Sequence, residues 1–312
     1  MRLPSTRLLR VFMLFCVTTM LGACAMPMRI GLKPEDRSKI TALAAHVVVV
    51  QDEVIAAVHA PNAGAASGGG LIGAMIDASI ANSRVKESQQ ALGSFYTVIE
   101  DVDYRKEFNE AIRSELANYQ IKVATVTTTP RALNMDILAK LRNQLPPGQA
   151  LLLIYPRYSL TADFRNFDSE SQVSMWARSD SPSAAGGTNT PIQRSVLYFQ
   201  SQSVGTGGRK SLDLWGAQNA ELFRSAMRES ITETLRMAMI DLDVAAEPAA
   251  KGGNLEEFSF NNGVITTKLK GQVVKNGDTR AILLASDQKL YSLPRTSTSA
   301  SAAASTSTAA AK

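Results

Sequence analysis

Ser83-Arg84-Val85-Lys86 places a hydroxyl three residues before an amine. On a helix that spacing sets a lysine one turn from a serine nucleophile, within reach of its proton. Lys251-Gly252-Gly253 and Lys275-Asn276-Gly277 supply only parts of the K-T-G element that would complete such a site, and S-D-N is absent. Asp163, Asp168 and Glu170 cluster near an expected strand end. Paired carboxylates can do acid–base work, and wall-sugar cleavage would be the reaction. The plainer reading is a hairpin turn in water. Gly68-Gly69-Gly70-Leu71-Ile72-Gly73 matches G-x-G-x-x-G, whose glycines let a backbone approach a pyrophosphate at a helix N-terminus. The preceding apolar run ends near Val50, too early for a tight strand-to-helix turn, and Ala74-Met75 stands where a P-loop needs Lys and Ser or Thr. A flexible loop leading into a close-packed helix fits better, with Gly69 and Gly73 at G-x-x-x-G spacing. Metal and triad chemistry lack material: His46 and His59 are the two histidines, and H-E-x-x-H, C-x-x-C and G-x-S-x-G do not occur. No cofactor is expected. Trp176, Trp215, Tyr155 and Tyr158 offer aromatic area that suits core or sheet packing better than a binding surface.

The elements that would position these groups form an α+β pattern. His46-Val47-Val48-Val49-Val50 reads as a buried strand, and 71–90 has helical character. Tyr104, Phe108, Ile112 and Leu116 recur every four residues over a helix at 102–119, capped by Asp101 or Asp103. A strand at 121–128 follows. Pro130 then opens a short helix over 131–143 with Leu133, Ile137 and Leu141 in line. The run 150–164 starts wholly apolar and then alternates, a strand with one wet face; 169–177 and 195–204 read as its partners, joined by a polar loop at 178–194. Phe223, Met227, Ile231, Leu235 and Met239 mark the clearest helix, 217–243. Asn262-Gly263 and Asn276-Gly277 separate short β runs and signal hairpins.

We therefore expect a mixed, mainly antiparallel sheet with helices packed on one face over 42–243. A linker at 244–254, a small β-meander at 255–294 and a disordered Ser/Thr/Ala tail at 295–312 would follow.

Residues 1–10 carry Arg2, Arg7 and Arg10 and no acid, 11–21 are almost wholly apolar, and Gly22, Ala23 and Cys24 follow. A basic region, a short apolar run and small residues describe a secretory signal peptide over 1–23. The run is too short to span a bilayer. Leu21-Gly22-Ala23-Cys24 resembles the lipobox of bacterial lipoproteins. That resemblance implies cleavage between Ala23 and Cys24, diacylglycerol on the Cys24 sulfur and acylation, by palmitate for example, of the new amino terminus. Ala25, where an Asp would direct retention, implies the outer membrane of a Gram-negative cell, with the domain in the periplasm. Residues 24–41, with Met26-Pro27 and Lys33-Pro34, read as a tether.

Of the two cysteines, Cys16 would leave with the signal peptide and Cys24 would carry lipid, so there is no disulfide partner. The net charge of +5 falls to +2 once three arginines are removed. Nucleic acid is neither expected nor reachable. The reading is a non-catalytic envelope lipoprotein that binds or assembles envelope proteins. Its alternatives are a transport or secretion accessory lipoprotein and, from another class, a cell-envelope hydrolase.

Overall fold

The computed structural model describes residues 29–51, 54–56, 92–119, 121–178, 190–243, 255–261, 263 and 265–295. Ala23 and Cys24, His59, the Gly68–Gly73 segment, Ser83 and Lys86, the linker 244–254 and the tail from Thr296 lie outside the described residues.

The strands are β1 (Ala42–Val48), β2 (Ile55–Ala56), β3 (Lys122–Thr129), β4 (Gln149–Leu160), β5 (Phe167–Ala177), β6 (Gln193–Gln200), β7 (Leu255–Asn261), β8 (Thr266–Asn276), β9 (Arg280–Ala285) and β10 (Leu290–Pro294). They form one mixed sheet in the order β3-β1-β4-β5-β6-β10-β9-β8-β7, with β2 beside the end of β4. β1 runs parallel to β3 and β4, and β10 parallel to β6; β4–β5–β6 and β7–β10 are antiparallel. The fold is α+β, as expected. The C-terminal strands form the expected meander and continue the main sheet through the pairing of Leu290, Tyr291 and Ser292 with Leu197, Tyr198 and Phe199.

Helix α1 is Pro34–Arg37, a helical stretch covers 92–98, and α2 is Tyr104–Glu115. Asp103 Oδ1 caps α2, accepting from Arg105 N at 2.9 Å and Lys106 N at 3.0 Å. Its stripe Tyr104, Phe108 and Ile112 is buried, and Leu116 in the following 3-10 turn continues it. The long helix α4, Arg209–Asp243, turns the expected Phe223, Met227, Ile231, Leu235 and Met239 into the same core. It begins eight residues before the expected 217. A corner also breaks it: Gln218, Asn219 and Ala220 have φ of 51°, 57° and 56°. This left-handed turn costs roughly 1–2 kcal/mol per residue. It sets Trp215 and Phe223 edge to face, 6.5 Å apart, and is braced by Arg224 Nε donating to Asn219 O at 2.9 Å.

α3, Met135–Asn143, differs from expectation. Asn134 Oδ1 accepts from Ile137 N at 2.8 Å and starts the helix there, so Leu138 becomes the buried position while Ile137 stays 41% exposed. Leu138 packs with Ala44, Leu151, Leu153 and Trp176, on the face opposite α2 and α4. The helices thus lie mainly on one face, with α3 across the other. This explains why the first half of β4 is apolar on both sides: Leu152 and Ile154 face α2 and α4, and Leu151 and Leu153 face α3.

The expected tether is shorter than 24–41. From Arg29 onward the chain is part of the fold. Ile30 pairs with Arg194 through backbone bonds of 2.8 and 2.9 Å, and Leu32 and Ile40 are 4% and 8% exposed. Apolar side chains two and ten residues past Ile30 find the core, and that burial holds the segment down.

The sheet has two ends. At the base lie Ile30, α1, the starts of β1, β3, β4 and β6, and the end of β5. At the far end lie the end of β4, the start of β5, the end of β6 and the hairpin tip at Gly263.

Candidate functional site

Among the described residues, several places combine exposure or buried polarity with shape, and three of them involve the residues and elements singled out above. The first is at the far end, where 161–166 joins β4 to β5. This connection is not a solvated turn. Asp163 Oδ1 accepts from Thr161 Oγ1 at 2.6 Å and Arg165 N at 3.1 Å, and its Oδ2 accepts from Asn261 Nδ2 at 3.1 Å. Asn166 Nδ2 donates to Ser201 O, and Asn261 Nδ2 donates to Asn166 Oδ1 at 3.0 Å. Gly263, with φ +83°, brings the β7–β8 tip against this corner; a Cβ there would lie 2.6 Å from Ala162 N. Asp168 is 6% exposed and accepts from Gln200 Nε2 at 3.1 Å and from the Tyr198 hydroxyl. Burial raises its pKa to about 7, against the lowering effect of those donors and with a small push from Asp163. Glu170 pairs instead with Lys289 Nζ at 3.0 Å. The three carboxylates therefore have separate partners and do not form one acid–base centre.

The second place is an aromatic pocket of about 270 Å³ lined by Val54, Tyr96, Tyr104, Tyr158, Phe223 and Met227 among others. Tyr104 and Tyr158 stack at 4.1 Å, and the Tyr96 hydroxyl donates to Val54 O. Burial raises the Tyr104 hydroxyl above its ordinary value. Of the aromatic residues singled out by sequence, Tyr158 lines this pocket, while Trp215 is buried with Nε1 donating to Phe164 O at 2.7 Å. Trp176 packs under α3 with the Arg142 guanidinium 5.3 Å from its ring, and Tyr155 adjoins the same cluster. His46 is buried on β1, and burial lowers its pKa.

The third place is the edge strand β3. Its sequence, KVATVTTT, carries no charge after Lys122. Among the described residues it pairs only with β1, and none of their strands pairs along its second edge. Val123 and Val126 turn toward the helix face, while Thr125 and Thr127 are exposed. A groove of about 660 Å³ runs beside it, walled by Arg113, Leu116, Ala117 and Tyr119 at the end of α2. Sequence reading found the strand and missed its position, because edge placement depends on strand order. The run without charge between Lys122 and Arg131 does not by itself separate an edge strand from a central one.

Among the described residues, no group of three or more His, Cys, Asp and Glu could hold a metal ion, and no helix is long and apolar enough to cross a membrane. Compared with protein-family models and with curated proteins, the chain matches none.

Proposed function

We propose that the protein is an exported lipoprotein, cut between Ala23 and Cys24 and anchored through lipid on Cys24, and that its periplasmic domain binds envelope proteins without catalysis. The N-terminal pattern of basic residues, apolar run and Leu21-Gly22-Ala23-Cys24 supports the anchor. The second edge of β3, along which no described strand pairs, carries the binding reading. Exposed edges are usually blunted by charge, proline or a bulge that turns them away, since unpaired N–H and C=O groups template another strand. β3 has one irregularity, where Ala124 is passed over in the register with β1, but it carries no charge and no proline from Val123 to Thr129 and lies beside a groove. The occupant is an extended segment of a partner protein, added as a further strand. Arg113 and Lys122 at one end of the groove favour an acidic residue at one end of that segment. A transport or secretion accessory is a narrower form of this reading. The hydrolase alternative has less behind it, because Asp163, Asp168 and Glu170 are each engaged elsewhere.

The test has two arms. Cys24→Ala should abolish palmitate incorporation and leave the precursor uncut; palmitate in the variant would refute the anchor. A photo-crosslinking residue at Thr125 or Thr127, in intact envelopes, should capture one partner that the same residue at Thr206 does not. Lys122→Glu should reduce that capture roughly tenfold, the size of a lost charge-assisted contact. Equal capture at all three positions, or no effect of Lys122→Glu, would overturn the β3 reading.

A further inference from the structure

We propose that the domain stands upright on the bilayer, its base seated against anionic headgroups and its far end, with the aromatic pocket, turned away. The inference rests on the Cys24 anchor proposed above and deepens it. Its first support is the point at which the chain joins the fold. Arg29 Nε meets Asp241 Oδ1 at 2.8 Å, with side chains 4% and 0% exposed. Gln193 Nε2 donates to the other oxygen of Asp241, and Ile30 is bonded to Arg194 on both sides. Position 29 is thereby pinned to the last turns of α4 and the first residues of β6. Cys24 is five residues away. Fully extended, that stretch reaches roughly 17 Å. A lipid on Cys24 cannot let the base drift further than this from the headgroups, whatever path the five residues take.

The second support is direction. Arg29 lies at the base, where β5 ends at Ala177 and β6 begins at Gln193. Asp168, at the other end of β5, is nine residues further along the strand, roughly 30 Å at ~3.4 Å per residue. With the base seated, an upright domain holds the far end about that distance from the headgroups, whereas a domain lying on its side would bring both ends to them.

The third support is charge. The base presents Lys33, Arg37, Lys39 and Lys122. Glu35, Asp36 and Asp243 stand among them. Asp36 faces Lys39 at 3.7 Å, and Asp243 accepts from the Tyr119 hydroxyl at 2.7 Å. The surplus is basic, and basic clusters next to a lipid anchor are drawn to anionic headgroups.

Full-length lipidated protein in vesicles tests this directly. The mature chain has no cysteine other than Cys24, so single thiols at Lys39→Cys (base) and Thr206→Cys (far end) can carry a donor dye. Energy transfer to a short-range acceptor in the headgroups should be roughly fivefold or more stronger from position 39, given the ~30 Å separation. Anionic phosphatidylglycerol in neutral phosphatidylcholine vesicles should strengthen transfer from position 39. A twelve-residue Gly/Ser insertion between Met28 and Arg29 should bring the two positions together on neutral vesicles. Equal transfer from both positions without the insertion, in protein whose palmitate label is present, would overturn the seating alone. Absence of the palmitate label would overturn the anchor and the seating with it.

Discussion

Each end of the sheet buries an aspartate, and the two are compensated differently. At the base, Asp241 has a cation: Arg29 lies 2.8 Å from one oxygen and the Gln193 amide donates to the other. At the far end, the donors to Asp168, Gln200 Nε2 and the Tyr198 hydroxyl, are neutral. Burial then wins over hydrogen bonding, and the Asp168 carboxyl is pushed up to about 7. A buried acid bonded to an arginine can act as a fixed tie. A buried acid with neutral donors becomes a group that titrates in the neutral range. The first closes a contact across 212 residues of sequence and decides where the chain joins the domain. The second sits inside a network that holds the meander tip to the β4–β5 connection.

The comparison breaks most sharply at Asp241. Asp241→Ala should lower stability by about 3–5 kcal/mol, because Arg29 would be left charged in a site built for a pair. The double variant Arg29→Met, Asp241→Leu should recover most of that loss, since two apolar groups fill a buried pair's place at little cost. Urea unfolding at neutral pH measures both. A loss below about 1 kcal/mol in the single variant would mean that Arg29 swings into water and ties nothing.

The Asp168 side of the comparison is read by pH. Its folded value of about 7 lies above the ordinary 3.8. Between those values the folded protein holds a proton that the unfolded chain has released. Asp168 therefore contributes stability that is fully present below about pH 4, falls as pH rises, and is gone above about pH 7. At about 1.4 kcal/mol per pH step, the loss between pH 5 and 8 is about 2–3 kcal/mol. Asp168→Asn should remove this slope. Unfolding curves at pH 5 and pH 8 check it, and an unchanged slope in the variant would assign the titration elsewhere.

These two sites differ from the elements that periodicity makes visible. Tyr104, Phe108, Ile112 and Leu116, and the stripe from Phe223 to Met239, can be read directly because spacing of four residues is local and burial follows it. The hairpins after Asn261 and Asn276 are equally local. What joins distant segments leaves no such trace. Nothing in Met28–Ile40 announces that Arg29 will find Asp241, or that β10 will lie against β6. The phase of α3 depends on Leu151, Leu153 and Trp176 beneath it: Leu133 and Leu141 of the expected stripe pack against that cluster, but Leu138 takes the buried position between them and Ile137 is exposed. Gln218 and Ala220 are good helix formers on either side of Asn219, yet the chain turns left-handed through all three, and Ala220 and Phe223 are buried in the core. The candidate site shows the same division. β3 is legible as a strand from its alternation, but its place at the end of the strand order is a property of the finished sheet.

Glu170 is the smallest effect and the control for the other two. It sits two residues from Asp168 on β5, but its side chain is 37% exposed and its partner Lys289, 20% exposed, lies 3.0 Å away. Water already screens both charges, and holding two long side chains in one geometry costs entropy. Glu170→Gln should therefore lower stability by only about 0.2–1 kcal/mol, and raised salt should erase even that. The cost of Asp241→Ala should survive the same salt, because ions do not reach a pair with side chains 4% and 0% exposed. Urea unfolding of both variants at low and high ionic strength separates them. A large, salt-resistant loss at Glu170 would show that Lys289 draws it into the same buried network as Asp168, and the carboxylates of β5 would then have to be treated as one unit.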